Sequence, residues 1–188
     1  MGHPLHGAGM SEVTRIPTHI EGLDENMQGG IPKGHICIVA GSSGAMKSSL
    51  TFSMLYNAVL YGETSGIYVT LEQGKDSLRS HMSNMGMNID DKRVSNRIAI
   101  IDLSDLRVQL DEQGMSSRVD WMGQLIKQLT SYRDSIGFER LVFDSLGAFF
   151  TLTKMENPRD EIFRLFETVR RLGLTSFFIS EMTGEDNK

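Results

Sequence analysis

The chain has 188 residues, of which 19 are basic and 24 acidic, for a net charge of −5 with histidines neutral. Its 39% apolar residues, together with 19 glycines, bring it to the usual range of globular chains and exclude wholesale disorder. The acidic balance argues against a protein held on nucleic acid by bulk charge, and no run approaches the ~18 unbroken apolar residues of a membrane span.

Residues 1–15 are rich in Gly and His and lack periodicity, so they read as a flexible leader. Met10 is a candidate natural start, with added sequence ahead of it, and nothing here looks like a signal peptide. His3 and His6 in such a tail are poor candidates for metal ligands. From Ile16 the chain alternates strand-like and helix-like segments. The strand candidates are His35–Ala40, Gly66–Leu71, Arg97–Ile101, Arg140–Phe143 and Thr175–Ile179, mostly apolar runs suited to a parallel sheet buried on both faces. The single cysteine, Cys37, lies in the first run, reads as strand packing, and fits a reducing cytoplasm.

Between the strands lie helices. One follows the glycine loop at Gly41–Gly44 and ends at Gly62; a shorter one spans about Asp76–Met85, before Gly86. A third is expected from about Arg118 to Arg133, with Ser117 and Asp120 at capping-box spacing and Met122, Leu125, Ile126 and Leu129 as its buried stripe. The clearest covers Pro158–Leu172: Asn157 as N-cap, Asp160 and Glu161 in the first turn, and an apolar stripe from Ile162 to Leu172 before Gly173. The order β-α-β-α-β-α-β-α-β predicts an α/β fold with a parallel sheet and right-handed crossovers.

The segment Gly41-Ser-Ser-Gly-Ala-Met-Lys-Ser48 joins the first strand to a helix. A loop in that context directs backbone N–H groups and the positive end of a helix at one anion. Lys47 supplies a cation for β- and γ-phosphates, and Ser48 a hydroxyl for magnesium. Gly41, Ser42, Ser43, Gly44, Ala45, Met46, Lys47, Ser48 and Ser49 are therefore the candidate nucleotide-binding residues. Met46 stands where the G-x-x-x-x-G-K-[ST] pattern has its second glycine. If that position needs positive φ, Met46 costs about 1–2 kcal/mol; if it is helical, nothing.

Three strand ends carry further candidates. Leu141-Val-Phe-Asp144 is an apolar strand ending in a carboxylate that can hold magnesium directly or through water. Tyr68-Val-Thr-Leu71 delivers Glu72 and Gln73 to the edge where open α/β sheets bind ligands; Glu72 could polarise an attacking water, or merely cap a turn. Ser180-Glu181 ends the last strand, as a γ-phosphate sensor or as a plain strand end.

These pieces, in order with Glu21-Gly-Leu-Asp24 and Gly29-Gly-Ile-Pro-Lys-Gly34, resemble the KaiC-like ATPases of the RecA superfamily from about Ile16 to Glu181. The resemblance implies a P-loop NTPase fold, a RecA-like parallel sheet flanked by helices, over residues 16–188. It implies ATP and Mg2+ as ligands, slow ATP hydrolysis, and a homo-oligomer, a hexameric ring or filament with ATP between subunits. Lys47 matches the phosphate lysine, Ser48 the magnesium hydroxyl, and Asp144 the Walker B aspartate. Glu72 matches the first of the paired catalytic glutamates of KaiC domains and the catalytic glutamate of RecA proteins; Gln73 departs from the second. The family continues with further strands, so the domain reads as truncated at its C-terminus, lacking residues that reach a neighbour's ATP. Two other functions are compatible. One is a RecA/RadA-type paralogue binding single-stranded DNA through Ser145–Lys154, where Phe149 and Phe150 would stack on bases; the competing reading packs both in the core or at a subunit interface. The other is a scaffold that binds nucleotide without hydrolysing it, motivated by Met46, Gln73 and the C-terminal strands that the resemblance leads one to expect.

Overall fold

In a computed structural model, residues 13–62, 64–112, 119–153 and 157–182 are described. The expected leader and its His3 and His6 fall mostly outside this range, as do Ser117 and Lys154. The elements are β1 (Arg15–Ile16), α1 (Leu23–Asn26), β2 (Ile31–Pro32), β3 (Ile36–Gly41), α2 (Lys47–Leu60), β4 (Gly66–Thr70) and α3 (Lys75–Asn84). They continue with β5 (Ile98–Asp102), α4 (Leu103–Glu112), α5 (Trp121–Ile136), β6 (Arg140–Asp144), α6 (Leu146–Thr153), α7 (Pro158–Arg171) and β7 (Thr175–Glu181).

The five predicted strands form one parallel sheet in the order β3-β7-β6-β4-β5. After β3 the chain skips two strand positions to β4 and adds β5 at the edge. It then returns through β6 to β7, which fills the gap beside β3. That reversal makes a switch point between the neighbours β6 and β4, where the connection after β6 turns toward β7 and that after β4 toward β5, and leaves a crevice at the carboxyl ends of the strands.

Two apolar layers sandwich the sheet. On one face Tyr68, Val142, Phe177 and Ile179 pack with Phe52, Leu55 and Val59 of α2 and Leu78 and Met82 of α3. On the other, Ile67, Val69, Leu141, Phe143 and Phe178 pack with Leu125 and Leu129 of α5, Phe149 of α6, and Leu165 and Val169 of α7. The period-2 alternation of each strand sends successive residues to opposite layers. β4 and β6 are buried along their whole length, as expected for central strands. β3 departs from the expectation of burial on both faces. It lies at a sheet edge, and Ile38 is 50% exposed.

Helix ends follow local chemistry. α5 starts later than expected: Asp120 is itself the N-cap, its carboxylate accepting from Gly123 N at 2.8 Å, and Gly137 at φ 69° closes the helix. Asn157 does occupy the N-cap of α7, but its amide donates to the Asp160 carboxylate instead of capping the backbone. α4 and α6 were not anticipated, nor were the short elements β1, α1 and β2. α4 is started by Asp102, whose carboxylate accepts from Asp105 N at 2.9 Å and from Lys75 N at 2.6 Å, so one side chain pins the entries of α3 and α4.

The Glu21–Gly34 motif is structural. Asp24 accepts from Thr18 N, Thr18 Oγ1 and His19 N, closing the turn ahead of α1. Gly30, at φ 117°, passes so close to β1 that a Cβ would lie 2.0 Å from the Ile16 carbonyl oxygen. The short antiparallel pair β1–β2 depends on that close approach.

Candidate functional site

The carboxyl ends of β3, β4, β6 and β7 converge on a cleft of about 330 Å³. Its lining includes Ser43, Gly44, Ala45, Met46, Lys47, Ser48 and Ser49 from the loop and α2, with Glu72, Asp144, Ser145 and Glu181 from strand ends and His81 from α3. The fold thus brings together Lys47, Ser48, Glu72 and Asp144, four residues separated by up to about a hundred positions in sequence.

The loop turns through left-handed backbone at Gly44 (φ 78°) and again at Met46 (φ 57°, ψ 25°). Position 46 therefore does require positive φ, and methionine bears strain there of about 1–2 kcal/mol. Its side chain is 62% exposed and does not cap the helix. Lys47 folds back over the loop: Nζ donates to the carbonyls of Gly41 at 3.0 Å and Ser42 at 2.7 Å. Gly41 makes room for this arc, since a Cβ there would sit 3.3 Å from the Ala45 methyl and 3.6 Å from Lys47 Cδ.

The opposite wall is drier. Asp144 is 8% exposed, and its Oδ2 accepts a 2.6 Å hydrogen bond from the Tyr68 hydroxyl, a group with no solvent exposure. Burial pushes the Asp144 carboxyl above its ordinary value, and the charge of Glu72 adds to the rise. Hydrogen bonds from Tyr68 and Ser48 and the charge of Lys47 oppose it. The Tyr68 phenol is itself driven far above its usual range, by burial first and then by the Asp144 charge, so it stays a donor. Neighbouring Ser145 donates from Oγ to Glu72 Oε1 at 2.5 Å and accepts from Ala148 N at 3.3 Å, tying the exposed Glu72 to the first turn of α6.

These donors suit magnesium with a polyphosphate. Hard oxygen ligands, the Ser48 hydroxyl and the Asp144 carboxylate, line the same cleft as the loop lysine. Burial penalises the ionised form of this carboxyl, a cost that a cation beside it would offset. Among the described residues no cluster of three or more His, Cys, Asp or Glu could hold a metal alone. Magnesium commonly binds through one or two carboxylates plus substrate phosphates, which is the set available here.

Other expected residues fall elsewhere. Gln73 turns onto α3, where its amide donates to Ser77 Oγ at 2.7 Å, and it does not line the cleft. Glu181 lines the cleft, whereas Ser180 is not among its lining residues. Phe149 is 1% exposed and edge-on to Phe143, and Phe150 packs against the same core, as the competing packing reading expects. Cys37 is half-buried in β3 and burial raises its thiol pKa, consistent with a packing role.

Sequence reasoning passed over Tyr68 and the Ser145 hydroxyl as site residues. A tyrosine in an otherwise aliphatic strand was the available signal; the register that sets Tyr68 beside Val142, two residues before Asp144, was not. A larger groove of about 730 Å³ adjoins the cleft along α2. It shares Ala45, Met46 and Ser49 with the cleft and is lined further by Leu50, Tyr56, Met87 and Arg93. No helix among the described residues is long and apolar enough to cross a membrane.

Comparison with known proteins gives consistent findings. A family model for the ATPase KaiC matches residues 16–188. The circadian clock oscillator protein KaiC of Parasynechococcus marenigrum is 27% identical over 188 residues, covering 97% of this chain and 35% of that protein. A UPF0273 protein of Saccharolobus solfataricus is 30% identical over 172 residues, covering 90% of this chain and 61% of that protein. The crystal structure of a KaiC-like protein from Pyrococcus horikoshii superposes with a TM-score of 0.76 at 23% identity, over 92% of this chain and 73% of that one. The chain thus spans about a third of the length of the KaiC relatives and under two thirds of the UPF0273 protein.

Proposed function

The chain belongs to the KaiC ATPase family of the RecA superfamily, and from that premise we propose that its cleft binds Mg-ATP and hydrolyses it slowly. The observation that carries this reading is the convergence of Lys47, Ser48, Glu72 and Asp144 on one cleft at the carboxyl edge of the sheet. The loop from Gly41 to Ser49 would cradle the phosphates with its backbone amides. A triphosphate would draw Lys47 Nζ off the Gly41 and Ser42 carbonyls onto the β- and γ-phosphate oxygens. Magnesium, held by Ser48 and by Asp144 directly or through water, would neutralise charge on the same oxygens. The neighbouring groove along α2, contiguous with the loop, would take the nucleoside.

Glu72 would orient the attacking water and accept its proton. Ser145 holds one Glu72 oxygen, and the other would serve the water. Water attacks the γ-phosphorus, the bond to the β,γ-bridging oxygen breaks, and ADP and inorganic phosphate leave. Catalysis is mostly positioning and charge stabilisation. A homo-oligomer, ring or filament, with nucleotide between subunits is part of the same proposal. Mass measured with and without Mg-ATP tests it, and a strict monomer in both would count against it for this chain.

Steady-state phosphate release from Mg-ATP, with Lys47→Ala as the blank, tests the catalytic reading. Turnover above the blank is expected. Bound nucleotide with release no faster than the blank would favour a non-hydrolysing scaffold instead.

A further inference from the structure

Tyr68 lies beneath the cleft and takes no part in the reaction just described. It sits at the middle of β4 with no solvent exposure, its ring 5.4 Å from that of Phe52 of α2. Its hydroxyl donates to Asp144 Oδ2 at 2.6 Å. The phenol therefore ties the strand that delivers Glu72 to the strand that ends in Asp144, while its ring packs on the helix that follows the phosphate loop. A buried phenol that merely packed would leave its hydroxyl at a core position better filled by Phe. Burying a hydroxyl is tolerated when it has a partner, and this one is spent on the carboxylate proposed to hold the metal.

We infer that Tyr68 is the positioning residue of the magnesium site: its hydroxyl fixes Asp144 by Oδ2 and so presents Oδ1 to the cation or its water. The inference rests on the reading that Asp144 holds magnesium. A carboxylate free to rotate between two orientations pays for its ordering at each binding event; one already clamped does not. Outer-shell partners of metal ligands change metal affinity by roughly 10–100-fold when removed, without touching the metal.

The test is the magnesium dependence of binding of a fluorescent ATP analogue, read for the native chain, Tyr68→Phe, Asp144→Asn and the double variant. Tyr68→Phe should raise the magnesium concentration at half-saturation about tenfold. Its affinity for the analogue without magnesium should stay native-like, a split that general loosening of the core would not give. In the Asp144→Asn background, Tyr68→Phe should add nothing, because the path it acts through is gone. A native midpoint in Tyr68→Phe beside a shifted midpoint in Asp144→Asn overturns the role of Tyr68 alone. Native midpoints in both overturn the magnesium reading of Asp144 and this inference with it. Should Tyr68→Phe fail to fold, the native chain labelled with 3-fluorotyrosine gives the second readout, with the Tyr68 signal assigned through Phe variants of the other three tyrosines. Adding magnesium to the analogue-bound chain should shift that signal; a signal that stays put overturns the inference.

Discussion

The two walls of the cleft are built on opposite terms. The loop wall is wet and strained: Met46 is left-handed and 62% exposed, and Lys47 is engaged with carbonyls it would have to leave to meet a phosphate. The carboxylate wall is dry and clamped: Asp144 is 8% exposed and held by a wholly buried tyrosine. The difference suggests a division of labour. A wall that stays fixed can set the geometry of a metal, while a wall that gives way can close around a polyphosphate.

Substitutions on each wall should therefore fail differently, and Glu72, between them, should give the largest effect. Glu72→Gln keeps the size of the side chain and can still accept from Ser145. It should lower turnover by about 10²–10⁴-fold while nucleotide binding persists. A comparable loss of binding would place Glu72 in the cradle instead.

On the loop wall, Lys47→Ala should weaken ATP binding by roughly 10–100-fold, the value of a charge-assisted hydrogen bond. Calorimetric titration reads this directly, and an unchanged affinity would mean that Lys47 stays on its carbonyls.

On the carboxylate wall, Asp144→Asn should separate stability from binding. Burial raises the native carboxyl above its unfolded value, so its contribution to stability is fully present below the unfolded pKa, near 3.8, and is lost as pH rises through the folded pKa. At pH 7 the amide escapes that desolvation cost, and its oxygen can still accept from Tyr68. The variant should then melt higher than the native chain at pH 7, with the advantage fading as pH falls toward the unfolded pKa, while the magnesium midpoint of nucleotide binding shifts upward. A lower melting temperature at pH 7 would mean that the ionised carboxylate stabilises the fold.

The smallest effect should come from Met46→Gly. Removing a Cβ from left-handed backbone should raise unfolding free energy by about 1 kcal/mol, read by urea titration. Nucleotide affinity should be unchanged, because the strain belongs to the fold.

Much of this was legible in the sequence. The five strands of the parallel sheet were read to within a residue or two, because such strands are continuous apolar runs and the loop and carboxylates mark their carboxyl ends, whereas the two-residue strands β1 and β2 carry no such run. The Pro158–Arg171 helix was legible because Pro, early acids and a regular stripe agree with one another. α4 and α6 were missed for a shared reason: their capping residues, Asp102 and Ser145, stand at the strand end or one residue past it, so no loop separates strand from helix. The exposure of Ile38 depends on strand order, which no local pattern encodes. Of the site, the ligating side chains were visible as motifs, but their supports were not. The Tyr68–Asp144 bond spans 76 positions and the Ser145–Glu72 bond 73, and both exist only because β4 and β6 pair in a particular register. The αL turn at Met46 was posed by the sequence as a condition and settled by the backbone.

The most direct measurement is calorimetric binding of ATP to the native chain in magnesium and in EDTA, repeated with Lys47→Ala. A cleft with a yielding cationic wall and a clamped carboxylate wall should give saturable binding that is tighter with magnesium and weakened at least tenfold in the variant. Binding indifferent both to magnesium and to Lys47, or no binding at all, would contradict the account.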